Sequence, residues 1–459
     1  HEKRVHDTIM KPSLILINPW IYDFAAYDLW SKPLGLLSLA TDLRRRGFDI
    51  QLIDCMDVDH PAMIERSTLK PPKRRQYGTG KFWRQIVPKP TALEGTERPY
   101  SRYGLLPEIF EEAVRRVKNP SAILVTSLMT YWYPGVFEAI RRSRKIHPEV
   151  PVILGGGYAR LCRDHAIRYS EADRVVSEQG IPAVYETLKD YGISIPGEMP
   201  DDTKPHYPAF DLLRRIHYIC LMTSTGCPYR CHYCASHFLF PEFIQSDPDE
   251  TLAEILFWHK KWGIRDFAFY DDALLVSSNT HTEVLLERIA RLNLHLRFHT
   301  PNAIHVREIT KPIAGLLHQT GFQTIRLGLE TSDGSKRWDL DKKISKGDFS
   351  HAMDHLRNAG FHPRQIGAYI MMGLPGQSPD AVAETIHHAD RCGAIPYLSE
   401  YSPIPHTRLW EKAVDTSSYD LPSEPLFHNN SLLPCWDDTR KRQIPRLKRL
   451  VSQVREKYR

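Results

Sequence analysis

Cys227-Pro-Tyr-Arg-Cys231-His-Tyr-Cys234 places three thiols within eight residues, with three residues in the first gap and two in the second. An odd number of cysteines does not pair off into disulfides, and three ligands fall one short of a closed structural zinc site. A cubane iron–sulfur cluster normally takes four thiolates; with three, one iron is left open to bind a substrate. A zinc ion with a distant histidine as fourth ligand fits the same spacing, and the chain has 22 histidines. Buried core thiols fit less well, because Pro, Arg, His and Tyr between the cysteines read as a tight loop and not as a core strand. Spacing alone leaves cluster and zinc about even, and the residues that follow decide between them.

Downstream, the apolar runs 218–223, 266–270, 295–299, 324–329, 365–372 and 397–401 alternate with helical patterns. They predict six parallel strands, and function in such folds collects at the strands' carboxyl ends. Those ends carry Asp271-Asp272, Thr300-Pro301-Asn302, Leu327-Gly-Leu-Glu330 and Met372-Gly373-Leu-Pro375-Gly376-Gln377. A Glu directly after an apolar strand is costly to bury unpaired. The Asp pair also suits a cap for the next helix, and each segment by itself reads as a turn.

The cysteine loop resembles that of radical SAM enzymes, whose signature is Cys-x-x-x-Cys-x-aromatic-Cys, with Tyr233 in the aromatic position. The match extends over about 218–402, because the four strand ends follow in the family's order. The resemblance implies an open, partial (β/α)6 barrel. It implies a 4Fe–4S cluster on Cys227, Cys231 and Cys234, whose fourth iron chelates S-adenosylmethionine (SAM). One-electron reduction then yields methionine and a 5′-deoxyadenosyl radical. The implied SAM-binding residues are Tyr233, Asp271, Asp272, Asn302, Glu330, Gly373, Pro375 and Gly376, with the Asp pair for the methionine ammonium, Glu330 for ribose hydroxyls and the glycine segment as a backbone wall.

The first 190 residues read as strand–helix repeats. Ser13-Leu-Ile-Leu-Ile-Asn18, Asp49-Ile-Gln-Leu-Ile-Asp54, Ala122-Ile-Leu-Val-Thr126, Val152-Ile-Leu154 and Arg174-Val-Val176 are short buried strands. Helices are expected at 36–46, ending before Gly47, and at 135–145. This order predicts a doubly wound, Rossmann-like sheet with its ligand beyond the strands' carboxyl ends. No Gly-x-Gly-x-x-Gly follows the first strand, so a dinucleotide is not expected. The arrangement is similar to the cobalamin-binding domain that precedes the radical SAM domain in one large subfamily. Lys32-Pro33-Leu34-Gly35 leads into the first helix as a Pro-x-Gly segment does there. The likeness implies cobalamin contacts from Pro19, Trp20, Ser127, Met129, Tyr131, Gly155, Gly156, Gly157 and Tyr158. The Asp-x-His-x-x-Gly that supplies an axial histidine in many cobalamin proteins is absent. That is usual in this subfamily and equally fits a domain that has lost cobalamin.

The expected organisation is a cobalamin-binding-type domain (11–190) with an insert (57–121), a Pro/Asp-rich linker (191–214), a radical SAM domain (215–402) and a small carboxy-terminal α extension (403–459). The insert carries ten Lys/Arg against two acids between Arg66 and Arg102, and the tail nine against one from Arg440, while the whole chain is only +6. Such patches attract anions or decorate a solvated surface. The insert, rich in aromatics, is expected to be a lid or a partner-binding element. No apolar run reaches a membrane span and no signal peptide is expected. Eight cysteines, three of them clustered, point to a reducing cytoplasm.

The expected activity is a cobalamin-dependent radical SAM C-methyltransferase with 4Fe–4S, SAM and cobalamin as cofactors. A small-molecule or peptide substrate and an electron donor such as flavodoxin or ferredoxin complete the system. Three alternatives remain at this point. One is a radical SAM enzyme with a vestigial corrin domain. Another is a tRNA methylthiotransferase, which needs three further cysteines where only Cys55 and Cys162 lie. The third is a metal-bound protein that recognises nucleic acid through its basic patches, a function that has no use for SAM-site motifs.

Overall fold

Strand β1 (Ser13–Asn18) divides its side chains between two cores. Leu14 and Leu16 pack on one face with Leu36, Ala40 and Leu43 of α1 (Leu34–Arg45). Ile15 and Ile17 pack on the other with Phe110 and Val114 of α2 (Pro107–Arg116) and Val136, Ala139 and Ile140 of α3 (Tyr133–Ile146). A strand covered on both faces is apolar at every position, and each fully buried Leu or Ile contributes about 1.5–3 kcal/mol. The computed structural model describes residues 11–197, 206–333 and 347–458.

Around β1 stand β2 (Asp49–Asp54), β3 (Ala122–Val125), β4 (Val152–Leu154) and β5 (Arg174–Val175), all parallel, in the order β2-β1-β3-β4-β5. The sheet is doubly wound, and its order reverses between β1 and β3. A ligand is expected outside the carboxyl ends at that reversal.

The 57–121 segment is woven into the fold. Its Ser101–Tyr103 strand lies between Ile21–Asp23 and Arg84–Ile86, its Gly80–Lys81 pairs with Tyr27–Asp28, and it ends in the crossover helix α2. Phe82, Trp83, Tyr100 and Tyr103 are buried. The length of the connection reflects a subsidiary layer, held by aromatic burial, that covers the loop after β1.

The second sheet runs β6 (Ile219–Leu221), β7 (Asp266–Phe269), β8 (Arg297–His299), β9 (Phe322–Glu330), β10 (Ile366–Met372) and β11 (Ile395–Glu400), all parallel and in chain order. It is the partial barrel expected. Trp30, Leu34 and Leu37 from the first domain share the core beside β6, with Phe210 and Tyr218. At the β11 side, the helix Ile444–Glu456 buries Leu447, Val451 and Val454 in the same core. The basic tail is therefore the solvated face of a packed amphipathic helix.

Two seams join the sheets. In the first, Asp28 is fully buried and accepts hydrogen bonds from Tyr218 and Arg74, while Tyr270 Oη accepts from the Lys32 amide at 3.1 Å. The second seam belongs to the tail. Tyr133 Oη donates to Glu424 at 2.9 Å, His428 Nδ1 meets Thr130 Oγ1 at 3.0 Å, and Asn429 Nδ2 donates to Asp23 at 2.9 Å. Of the expected linker, residues 198–205 lie outside the described residues. Its far end runs along α1, with Thr41 Oγ1 donating to Tyr207 O at 2.8 Å and Arg44 pairing with Asp211 at 2.9 Å.

Candidate functional site

The three cysteines lie on one loop after β6. Cys231 is buried, while Cys227 and Cys234 are partly exposed. Burial pushes the Cys234 thiol up to about 12, and Asp272, Cys231 and Cys227 act on it in the same direction. The three sulfurs thus share one neighbourhood. Among the described residues, no three His, Cys, Asp or Glu side chains converge as ligands of a single ion. Three thiols on one loop fall one short of a closed zinc set and fit a cluster with one iron left open. The Ser236 amide donates to Cys234 Sγ at 3.4 Å. The tail supports the loop, as the Leu409 amide donates to His232 O at 2.9 Å. Tyr233 packs against the apolar cluster that contains Met371, Leu374 and Tyr401.

The strand ends face this loop with polar groups. Asp271 is 4% exposed, and its Oδ1 accepts from Thr223 Oγ1 at 2.8 Å and Ser224 Oγ at 2.7 Å. Its Oδ2 is buried with no hydrogen-bond partner. Burial raises its pKa, and the two hydroxyls oppose that rise. Asp272 is exposed and accepts from Ser236 Oγ at 2.6 Å. Asn302 Nδ2 donates to Tyr270 O at 2.7 Å, tying the ends of β7 and β8 together. Glu330 is 6% exposed and sits at φ 58°, where β9 shifts register against β10. Left-handed backbone at a non-glycine is strained; here it coincides with the bulge.

The glycine segment after β10 departs from expectation. The amides of Gly373 and Leu374 donate to Gln377 Oε1 at 2.9 and 3.2 Å, and Gln377 Nε2 donates to Met371 O at 2.9 Å. These two amides are therefore satisfied internally and are not offered to a ligand. Glycine is required at 373 for a different reason: its φ is 98°, and a Cβ there would collide with Leu433 of the tail. Pro375 is buried beside it, whereas Gly376 is exposed. Thr223, Ser224 and Gln377 were not singled out from the sequence. Two hydroxyls directly after β6 were the available signal for the first pair.

At the β1/β3 reversal a cavity of about 430 Å³ opens between the two sheets. Pro19, Trp20, Ser127, Gly156 and Gly157 line it, and Gly155 lines an adjoining hollow of about 300 Å³. Met129, Tyr131 and Tyr158 line neither. The loop after β3 turns back at Thr130–Trp132, bringing Leu128 and Trp132 to the wall and Tyr131 into the interior. Tyr158 is fully buried, with its hydroxyl 2.6 Å from His165 Nδ1. The opposite wall comes from the second domain: Met222, Leu239, Phe240 and Tyr270. Large exposed hydrophobics face one another from both domains, Leu128 at 62% and Met222 at 41%. No histidine lines the cavity among the described residues. Gly35 lines both hollows, and a Cβ built on it meets nothing within 4 Å.

Comparison with known proteins bears on both halves. Residues 221–389 match the radical SAM superfamily. Hopanoid C-3 methylase of Methylococcus capsulatus is 23% identical over 424 residues, covering 85% of this chain and 71% of that one. An uncharacterized methyltransferase of Pyrococcus horikoshii, PH0819, is 25% identical over 217 residues, 45% of this chain; the chain spans about half of that relative's length, 46%. The structure of the radical SAM methyltransferase TsrM from Kitasatospora setae, with cobalamin and a 4Fe–4S cluster bound, superposes with a TM-score of 0.63 at 16% identity, covering 89% of this chain and 80% of that one. The cobalamin-dependent radical SAM enzyme OxsB, with aqua-cobalamin and SAM bound, gives 0.55 at 14% identity, covering 97% and 56%. The chain thus carries a radical SAM domain in residues 221–389, joined to an amino-terminal α/β domain in the arrangement of TsrM and OxsB.

Proposed function

We propose that the protein is a cobalamin-dependent radical SAM enzyme that methylates an unactivated carbon. One observation carries this reading: the cavity at the sheet reversal is closed on its far side by the radical SAM domain, through Met222, Leu239, Phe240 and Tyr270. Two cofactor sites on one cleft are what methyl transfer combined with radical chemistry requires.

The residues present fit the groups. Three thiols on one loop match a three-cysteine cluster, and the orphaned Asp271 Oδ2 awaits a cationic donor such as the methionine ammonium of SAM. The open space at Gly35 leaves room for a flat ligand. Bound together, these groups supply one-electron cleavage of a sulfonium and a transferable methyl group. The chain's own task is geometric. Cys227, Cys231 and Cys234 hold the cluster, and Asp271 and Asp272 orient the amino acid end of SAM. Glu330 accepts from ribose hydroxyls, while Asn302, Pro375 and Gly376 shape the adenosyl pocket with Tyr233 behind the loop. Pro19, Trp20, Ser127, Gly156 and Gly157 cradle the corrin without a histidine. The apolar walls exclude water from the reacting centre. A flavodoxin- or ferredoxin-type donor in a reducing, cytoplasmic setting supplies electrons.

Anaerobic reconstitution with iron, sulfide, cobalamin, SAM and a reductant tests this. Mass analysis is expected to find both 5′-deoxyadenosine and S-adenosylhomocysteine. Formation of 5′-deoxyadenosine alone contradicts methyl transfer, and the absence of both products contradicts the radical chemistry.

A further inference from the structure

Arg160, in the short helix α4 (Gly157–Leu161), stands where three hollows meet. It lines the inter-domain cavity, the adjoining 300 Å³ hollow and a third of about 530 Å³ beside Trp410 and His428 of the tail. It is half-buried, and among the described residues no carboxylate oxygen lies within 4.0 Å of its guanidinium. Its contacts are weak: Nη2 lies 3.5 Å from Phe238 O, and the guanidinium is 6.0 Å from the Phe240 ring. Burial lowers its pKa, with no neighbouring acid acting against that. Lys32, the other cation on the cavity wall, is provided for differently, with Asp28 at 3.9 Å and the Tyr218 ring at 5.1 Å. Glu178, in the wall of the adjoining hollow, accepts instead from the Ser177 amide at 3.0 Å.

An arginine is charged at every accessible pH. Partial desolvation without an acid partner is unfavourable, and an anionic oxygen on a ligand removes that cost through charge-assisted hydrogen bonds. The position of Arg160 says which ligand. The cavity and the adjoining hollow share Gly35, Leu36, Thr126, Gly156 and Phe240 as well as Arg160, so one molecule can run through both. A corrinoid has that form: a broad macrocycle with neutral amides, and a nucleotide arm joined to it through one negatively charged phosphodiester. We propose that Arg160 binds this phosphodiester and so makes the chain select corrinoids with a complete nucleotide arm. The inference rests on the corrinoid reading above.

The test is a titration of the anaerobically reconstituted full-length protein with cyanocobalamin and with dicyanocobinamide, which lacks the nucleotide and its phosphate. Corrin absorbance is the readout, without substrate or SAM. Arg160→Met is expected to weaken cyanocobalamin binding about ten- to a hundredfold and cobinamide binding less than about threefold. Arg160→Lys, which keeps the charge but loses the planar fork, is expected to fall between. An unchanged cyanocobalamin affinity in Arg160→Met, or an equal loss for both corrinoids, overturns the inference while leaving the corrinoid reading standing. Failure of the wild-type protein to bind either corrinoid overturns both.

Discussion

The two cofactor-sized sites are built in opposite ways. At the radical SAM strand ends, charged side chains are buried and individually supported: Asp271 by Thr223 and Ser224, Glu330 by a bulge at φ 58°. At the sheet reversal, Pro19, Trp20, Leu128, Met222 and Phe240 present hydrocarbon, and Gly35 presents empty space. The first suits a small zwitterion, which needs each charge matched. The second suits a large flat ligand held by area, at about 25 cal/mol per Å² of apolar surface removed from water. Substitutions should therefore act sharply at one site and gradually at the other.

The largest effect tests whether the sites are separable. Cys231→Ala should abolish cluster absorbance and SAM cleavage completely, with cobalamin titration left within about twofold of wild type. Parallel loss of corrinoid binding would show one site where two are described.

A second experiment loosens the seam between the regions. Burial holds the His428 imidazole down to about 4 against an ordinary 6.5. The folded protein thus favours the neutral ring. The stability that this provides is full above about 6.5 and is lost as pH falls toward 4. Crossing the whole window withdraws about 3 kcal/mol. Denaturant unfolding at several pH values should show that loss, and His428→Gln should flatten it. An unchanged slope in the variant would remove His428 from the account.

Asp271→Asn keeps the shape and removes the charge. SAM affinity, by equilibrium dialysis, should fall about ten- to a hundredfold at constant iron content. Smallest is Gly35→Leu, which extends a side chain into the space near the amino end of α1 where a Cβ meets nothing within 4 Å. It should weaken cobalamin binding by about tenfold while thermal stability holds or rises, since replacing a helical glycine gains about 0.5–1 kcal/mol. A fall in melting temperature would mean that Gly35 serves packing.

The same contrast governed what could be read from the sequence. Unbroken burial made β1 legible as an apolar run, since Leu14 and Leu16 serve one core and Ile15 and Ile17 the other. The cysteine spacing and the carboxylates at strand ends were legible because their chemistry is local. The cavity wall was half legible. Pro19, Trp20, Ser127 and Gly156 follow strands directly, but Met222, Leu239, Phe240 and Arg160 meet only through domain docking, which no local pattern encodes. Tyr158 follows the triple glycine yet turns into the core, because each step along a helix swings the side chain about 100° around the axis. The aromatics of the 57–121 segment signalled order but not its role: Phe82, Tyr100 and Tyr103 bury against the loop after β1, and Trp83 packs with Met63 and Ile109. Gly373 was read as a ligand contact, and its partner is Leu433, 60 residues along the chain.

The central claim is that three sulfurs leave one iron open for SAM. Mössbauer spectroscopy of the iron-57-reconstituted protein, with and without SAM, tests it most directly. Four irons per chain, one of which changes its spectrum when SAM is added, is the predicted result. Zinc in place of iron, or a cluster in which no iron responds to SAM, would contradict it.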